Sequence, residues 1–216
     1  MLFVSHNMGS IQSLCERGIW LDGGRVRMMG SANQVVTRYL SAVAEGTLRG
    51  QSDGPVQVTQ VVLRNSAGQP TTTFSPGDDI EVLVHYTAKR RYYRPYIWIS
   101  VGGRSGGIFS ANMFIDGQRP EYIEGQGVIG CRFQSVPLMP QSYTITMAIR
   151  EPDRSALFEP QPVAAFNVVG PLSDCGLMGE SADSLAEVST PIVVPYEWYY
   201  PDGKRTMVRI DPSRKA

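Results

Sequence analysis

Trp98 stands in Tyr96-Ile97-Trp98-Ile99-Ser100-Val101, a run in which aliphatic residues alternate with others. Alternation across a strand turns Ile97, Ile99 and Val101 to one face and Tyr96, Trp98 and Ser100 to the other. Read the same way, residues 143–150 send Tyr143, Ile145, Met147 and Ile149 inward and leave Thr144, Thr146, Ala148 and Arg150 outside. In 163–169, Ala164, Phe166 and Val168 face in, and Ala165 and Asn167 face out. If the three strands are neighbours in one sheet, their outer face shows an indole beside small and hydroxylated side chains. The C–H face of a pyranose can stack on such an indole, with Ser100, Thr146 or Asn167 pairing with its hydroxyls. The candidate binding residues are therefore Tyr96, Trp98, Ser100, Thr144, Thr146, Ala165 and Asn167. An outward tryptophan is equally open to cover by a loop, a second copy of the chain or the terminal segment.

Other reactive residues do not assemble into a catalytic set. His6 is one of two histidines and follows the short apolar run Leu2-Phe3-Val4, which suits a buried strand delivering Ser5, His6 and Asn7 to a site. His85 points outward by alternation, on the sheet opposite Trp98, and reads as a surface residue. No Ser/His/Asp set, metal-ligand spacing or close pair of acids is visible, and Glu121 and Glu124 read as part of a polar loop with nothing to raise a pKa. No enzyme activity, metal or cofactor is expected. Tyr92 and Tyr93 lie among Lys89, Arg90, Arg91 and Arg94. Such a run reads as a solvated loop, the alternative being contact with an anion such as phosphate.

These residues need elements to hold them. Residues 2–40 read as strand, helix, hairpin, helix: Met8, Ile11, Leu14 and Cys15 recur at helical spacing, Asp22-Gly23-Gly24 makes a turn, and Ser31 to Gln34 has the form of a capping box. The glycine-rich polar stretch 45–55 reads as a linker. Seven or eight short strands bounded by turn residues follow, which argues for an antiparallel β-sandwich of immunoglobulin type. The expected division is a remnant at 1–44, a linker at 45–55 and a sandwich at 56–216. Among 216 residues, 20 basic and 20 acidic side chains balance, giving no electrostatic reason to expect nucleic acid. Cys15, Cys131 and Cys175 suggest neither a disulfide framework nor a metal site, and fit a reducing compartment. No apolar run approaches a membrane span.

Two resemblances order these observations. The stretches "VSHNM" and "CERGIWLDGGRV", with Gly30, Val35 and Tyr39 in the spacing G-x(4)-V-x(3)-Y, resemble the C-terminal tail of an ABC transporter nucleotide-binding domain. That resemblance makes His6 the switch histidine. It is orphaned, because the chain carries no phosphate loop, no "LSGGQ" signature and no strand ending in Asp-Glu. The expectation is a truncated subunit or a separate downstream reading frame that does not hydrolyse ATP.

The succession "FSPGDDIEVLVHY", "RPYIWISV", "GGIFSANM", "VPLMPQSYTITMAI", "FNVVG" and "PIVVPYEW" is similar to the C-terminal carbohydrate-binding domain of Wzt-type ATPases of O-antigen polysaccharide exporters. It implies a non-catalytic module that binds a polysaccharide near its non-reducing end. Its partners would be the glycan, a second copy in a homodimer with C-terminal strand exchange, and the transporter's membrane subunit through the full-length ATPase. The location would be cytoplasmic, peripheral to the inner membrane. Within the "VPYEW" element, Trp198 is expected to pack rather than bind ligand. A structural or regulatory dimerisation domain without sugar binding remains the alternative.

Overall fold

A computed structural model describes residues 3–4, 11, 14–50, 54–103, 106–177, 191–202 and 204–210. His6 and its neighbours Ser5 and Asn7 lie outside them.

Two hydrogen-bonded sheets enclose one core. The larger carries strands in the order β4-β10-β9-β6-β7, where β4 is Thr73–Phe74, β6 Tyr96–Gly103, β7 Gly106–Asn112, β9 Ser142–Arg150 and β10 Ala156–Val168. The smaller is β3-β5-β8, from Val56–Arg64, Ile80–Tyr93 and Tyr122–Phe133. Apart from the short parallel pair β4/β10, every pairing in these two sheets is antiparallel. The expected immunoglobulin-like sandwich is the architecture found.

Period-two alternation builds it. Along β5, Ile80, Val82, Val84, Tyr86 and Ala88 are buried while the intervening side chains are partly exposed. Across the gap they meet Ile97, Ile99 and Val101 of β6, Tyr143, Ile145, Met147 and Ile149 of β9, and Phe166 and Val168 of β10. Phe166 sits against Phe74 edge-on and stacks on Tyr143. Each fully buried aliphatic or aromatic side chain contributes about 1.5 to 3 kcal/mol relative to exposure. The three cysteines are all unpaired, so packing alone holds the two sheets together.

Before the sandwich, a hairpin of β1 (Arg17–Asp22) and β2 (Arg25–Ser31) leads into a long helix, Ala32–Gly50. Ser31 caps the helix by accepting the Gln34 N–H at 3.3 Å. The helix runs into the segment expected as a linker. It does not stand apart from the sandwich: Ala32, Val35, Val36 and Thr37 are buried, and the helix packs chiefly on β10 while touching β9 and β3. A second hairpin, β11 (Tyr196–Tyr199) and β12 (Arg205–Val208), follows the sandwich.

The segment expected as a solvated basic loop is strand. β5 continues to Tyr93, and Tyr92 is buried in the core. Glu124 likewise belongs to β8, where it pairs with Arg91 at 2.7 Å rather than lying in a loop.

Candidate functional site

Register places the outer-face residues of β6, β9 and β10 in cross-strand rows. Trp98 pairs with Asn112 on one side and Ala148 on the other. In the next row Ser110, Ser100, Thr146 and Pro162 follow in order, and in the third Gly102 and Thr144 lead to Ala165. Ser142 and Asn167 end the series.

Half of this face is covered. Ala165, expected to leave room beside the indole, is 2% exposed, and Asn167 is partly buried. The cause is the long helix. The Thr37 hydroxyl donates to Asn167 Oδ1, the Ser142 hydroxyl donates to the same oxygen at 2.6 Å, and the two hydroxyls lie 2.7 Å apart. A small residue at 165 lets the helix approach the sheet, and a polar trio under it satisfies groups that would otherwise be costly to bury. Ala165 and Asn167 therefore serve the helix contact, and Ala165 offers no open surface.

The other half is open, with one edge closed off. Trp98 and Thr144 are partly exposed, as is Thr146, whereas Tyr96 is 8% and Ser100 9% exposed. Tyr96 is outward by alternation, but Phe114 from the short helix Met113–Asp116 packs on it with centroids 5.0 Å apart. Asn112 fixes that helix by accepting the Phe114 N–H at 3.0 Å. Ser100 reaches only the Phe109 carbonyl, at 3.5 Å. Among the described residues no protein group bonds the hydroxyls of Thr144, Thr146 or the exposed Ser110, so they are available to a ligand. At Gly102 and Gly107 the floor drops to backbone level.

Among the described residues of this face, hydroxyls and an indole are brought together, and no nucleophile stands beside a base. Among the described residues no three His, Cys, Asp or Glu side chains gather to hold a metal ion. His85 lies in β5, paired across from Val128 in the other sheet.

Ser110, Asn112 and Phe114 also line this face, although the strand reading did not name them as binding candidates. The signal for the first two was present, since "IFSAN" alternates like its neighbour and antiparallel pairing aligns it with Trp98 and Ser100. Phe114 lies beyond the strand, where alternation says nothing.

A family model described as the Wzt C-terminal domain matches residues 48–179. The chain belongs to the Wzt C-terminal domain family. The matched span contains both sheets and every residue of the open face. The Wzt-like chain is similar to the O-antigen export system ATP-binding protein RfbB of Klebsiella pneumoniae, 43% identical over 44 residues, which is 20% of this chain and 18% of that protein. Its likeness to the RfbB of Myxococcus xanthus is 21% over 112 residues, covering 41% of this chain and 26% of that one. These matches span about a quarter or less of each relative's length. Among solved structures, the C-terminal domain of wzt superposes with a TM-score of 0.43 at 12% identity, over 55% of this chain and 75% of the other.

Proposed function

We propose that this chain is a non-catalytic glycan-binding domain serving polysaccharide export by an ABC transporter, with the polysaccharide held on the open half of the outer face. The observation that carries the reading is the Trp98 row with the Ser100 row beside it. A partly exposed indole lies next to Ser110 and Thr146, whose hydroxyls have no protein partner among the described residues. Stacking on Trp98 supplies apolar contact, and Thr144, Thr146, Ser110 and the Asn112 amide supply hydrogen bonds. Tyr96 and Ser100, nearly covered, support the wall and floor. The groove is shallow, so single sugars bind weakly and chain segments better. Family membership and the export proteins that the chain resembles support a place in a transporter complex on the cytoplasmic side of the inner membrane, reached through an ATPase subunit and its membrane partner. The test is a glycan array probed with the purified chain: selective retention of bacterial polysaccharide is expected, and no binding to any glycan overturns the reading.

A homodimer is the second part of the proposal. Trp198 is 58% exposed, and Tyr199 and Met207 of the same hairpin are exposed beside it. Trp198 is expected to pack rather than bind ligand, and a second copy is the cover we assign to it, with exchange of the C-terminal strands. Removing residues 190–216 is expected to give monomer or aggregate in light scattering. An unchanged dimer after that deletion counts against the exchange.

A further inference from the structure

Beyond Trp98 the open face ends in a rim of arginines and aromatic rings. Phe114 is 40% exposed, with the guanidinium of Arg119 5.1 Å from its centroid and that of Arg154 at 5.2 Å. Arg119 also lies 5.4 Å from the Tyr96 ring. Rows and helix put this rim next to the proposed sugar wall: Tyr96 is two residues along β6 from Trp98, and Phe114 two residues beyond its cross-strand partner Asn112.

The nearby charges are spent unevenly. Arg91 is taken by Glu124, Arg150 by Glu159 at 3.7 Å and Arg90 by Glu151 at 3.8 Å. Asp153 accepts both the N–H and the hydroxyl of Ser155, which holds its carboxyl below the usual range. Asp116 accepts the Gln118 N–H at 2.8 Å. Among the described residues, Arg119 and Arg154 are left without a carboxylate, each guanidinium held near the Phe114 ring and its N–H fork unused. Arg154 also sits at φ +73° in the turn between β9 and β10, a left-handed conformation that favours glycine. The chain thus carries a guanidinium where the backbone alone would prefer no side chain.

We propose that Arg119 and Arg154 form an anion subsite at the end of the groove, so that the preferred glycan carries a carboxylate or a phosphate group. This rests on the glycan-binding reading. A planar guanidinium matches either oxyanion with paired, charge-assisted hydrogen bonds, and stacking on Phe114 pre-organises the fork.

The test is an array of acidic bacterial polysaccharides, each printed beside its neutral counterpart: carboxyl-reduced for acidic sugars, dephosphorylated for phosphorylated ones. The full chain is expected to prefer the acidic member at least tenfold, with the preference falling between about 25 and 300 mM salt, and the favoured pair type identifies the anion. Arg119→Gln with Arg154→Gly is expected to abolish the preference while leaving the neutral members bound. Arg154→Gly alone is expected to weaken acidic binding without lowering the melting temperature, because glycine relieves the left-handed backbone. Equal binding of both members by the parent, or a preference that survives in the double variant, overturns the subsite and spares the glycan reading. Absence of all binding overturns both.

Discussion

The two halves of one sheet face share register and hydroxyl chemistry, yet they do different things. On the β9–β10 side, Ala165, Ser142 and Asn167 lie under the helix Ala32–Gly50 and bond to Thr37. On the β6–β7 side, Trp98 and Ser110, with Thr146 of β9 beside them, lie clear of that long helix, and the two hydroxyls are unpaired among the described residues. The difference lies in what arrives from elsewhere in the chain. A segment some 130 residues away in sequence claims one half, as the Thr37 to Asn167 bond records. The same surface chemistry is structural where a helix covers it and available where none does.

The largest effect that separates the halves is expected from bulk. Ala165→Leu places extra methyl groups between helix and sheet, and overpacking of this kind costs about 1 to 3 kcal/mol. The expected outcome is a lower denaturation midpoint and faster amide exchange in 32–42, the part of the helix whose side chains are placed against the sheet. An unchanged midpoint means the helix does not press on Ala165. Ser110→Leu on the open half is expected to leave the midpoint alone and to block glycan.

Trp98→Ala comes next. Removing the indole is expected to cost about 1 to 3 kcal/mol of glycan affinity, the range for an aromatic hot spot, with little change in thermal melting because the ring lies outside the core cluster. If melting falls as for a core truncation and affinity does not, the indole is a structural cover and the open half is not the site. His85→Ala, on the opposite sheet, is the control and is expected to change neither reading by more than about 0.5 kcal/mol.

Much of the sandwich was legible because its strands are half-buried. Alternation in β5, β6 and β9 marks the core directly, and the cross-strand placement of Trp98, Ser100 and Thr146 follows from it. What failed was cover. Alternation says which face Tyr96 and Ala165 occupy; whether another element lies on that face depends on distant segments. Tyr96 is sealed by Phe114, from a one-turn helix after β7, and Ala165 by a helix that reads in isolation as the end of a different domain. The basic run 89–94 misled for a related reason: Arg and Lys suggest a loop, but Tyr92 fills the core while Arg90 and Arg91 reach outward to Glu151 and Glu124. Trp198 lies in a strand pattern too, and among the described residues its ring is left exposed.

The finest test applies one substitution to both halves. Thr→Val keeps shape and β-branching and deletes only the hydroxyl, so each site reports what its hydroxyl does. At Thr37 the hydroxyl is buried and bonded to Asn167, and its loss removes one of the two donors to Asn167 Oδ1. Thr37→Val is expected to cost about 1 kcal/mol of stability, read from urea unfolding, with glycan affinity unchanged. At Thr146 the hydroxyl has no protein partner among the described residues, and valine suits a strand at least as well. Thr146→Val is expected to hold or slightly raise stability and to weaken glycan binding by about 0.5 to 1 kcal/mol. The contrast collapses if Thr146→Val destabilises the fold, since its hydroxyl must then have a structural partner, or if Thr37→Val weakens the glycan. The latter result would mean that the helix and the open half respond to each other, and the division between a structural and a binding half would have to be redrawn as one coupled surface.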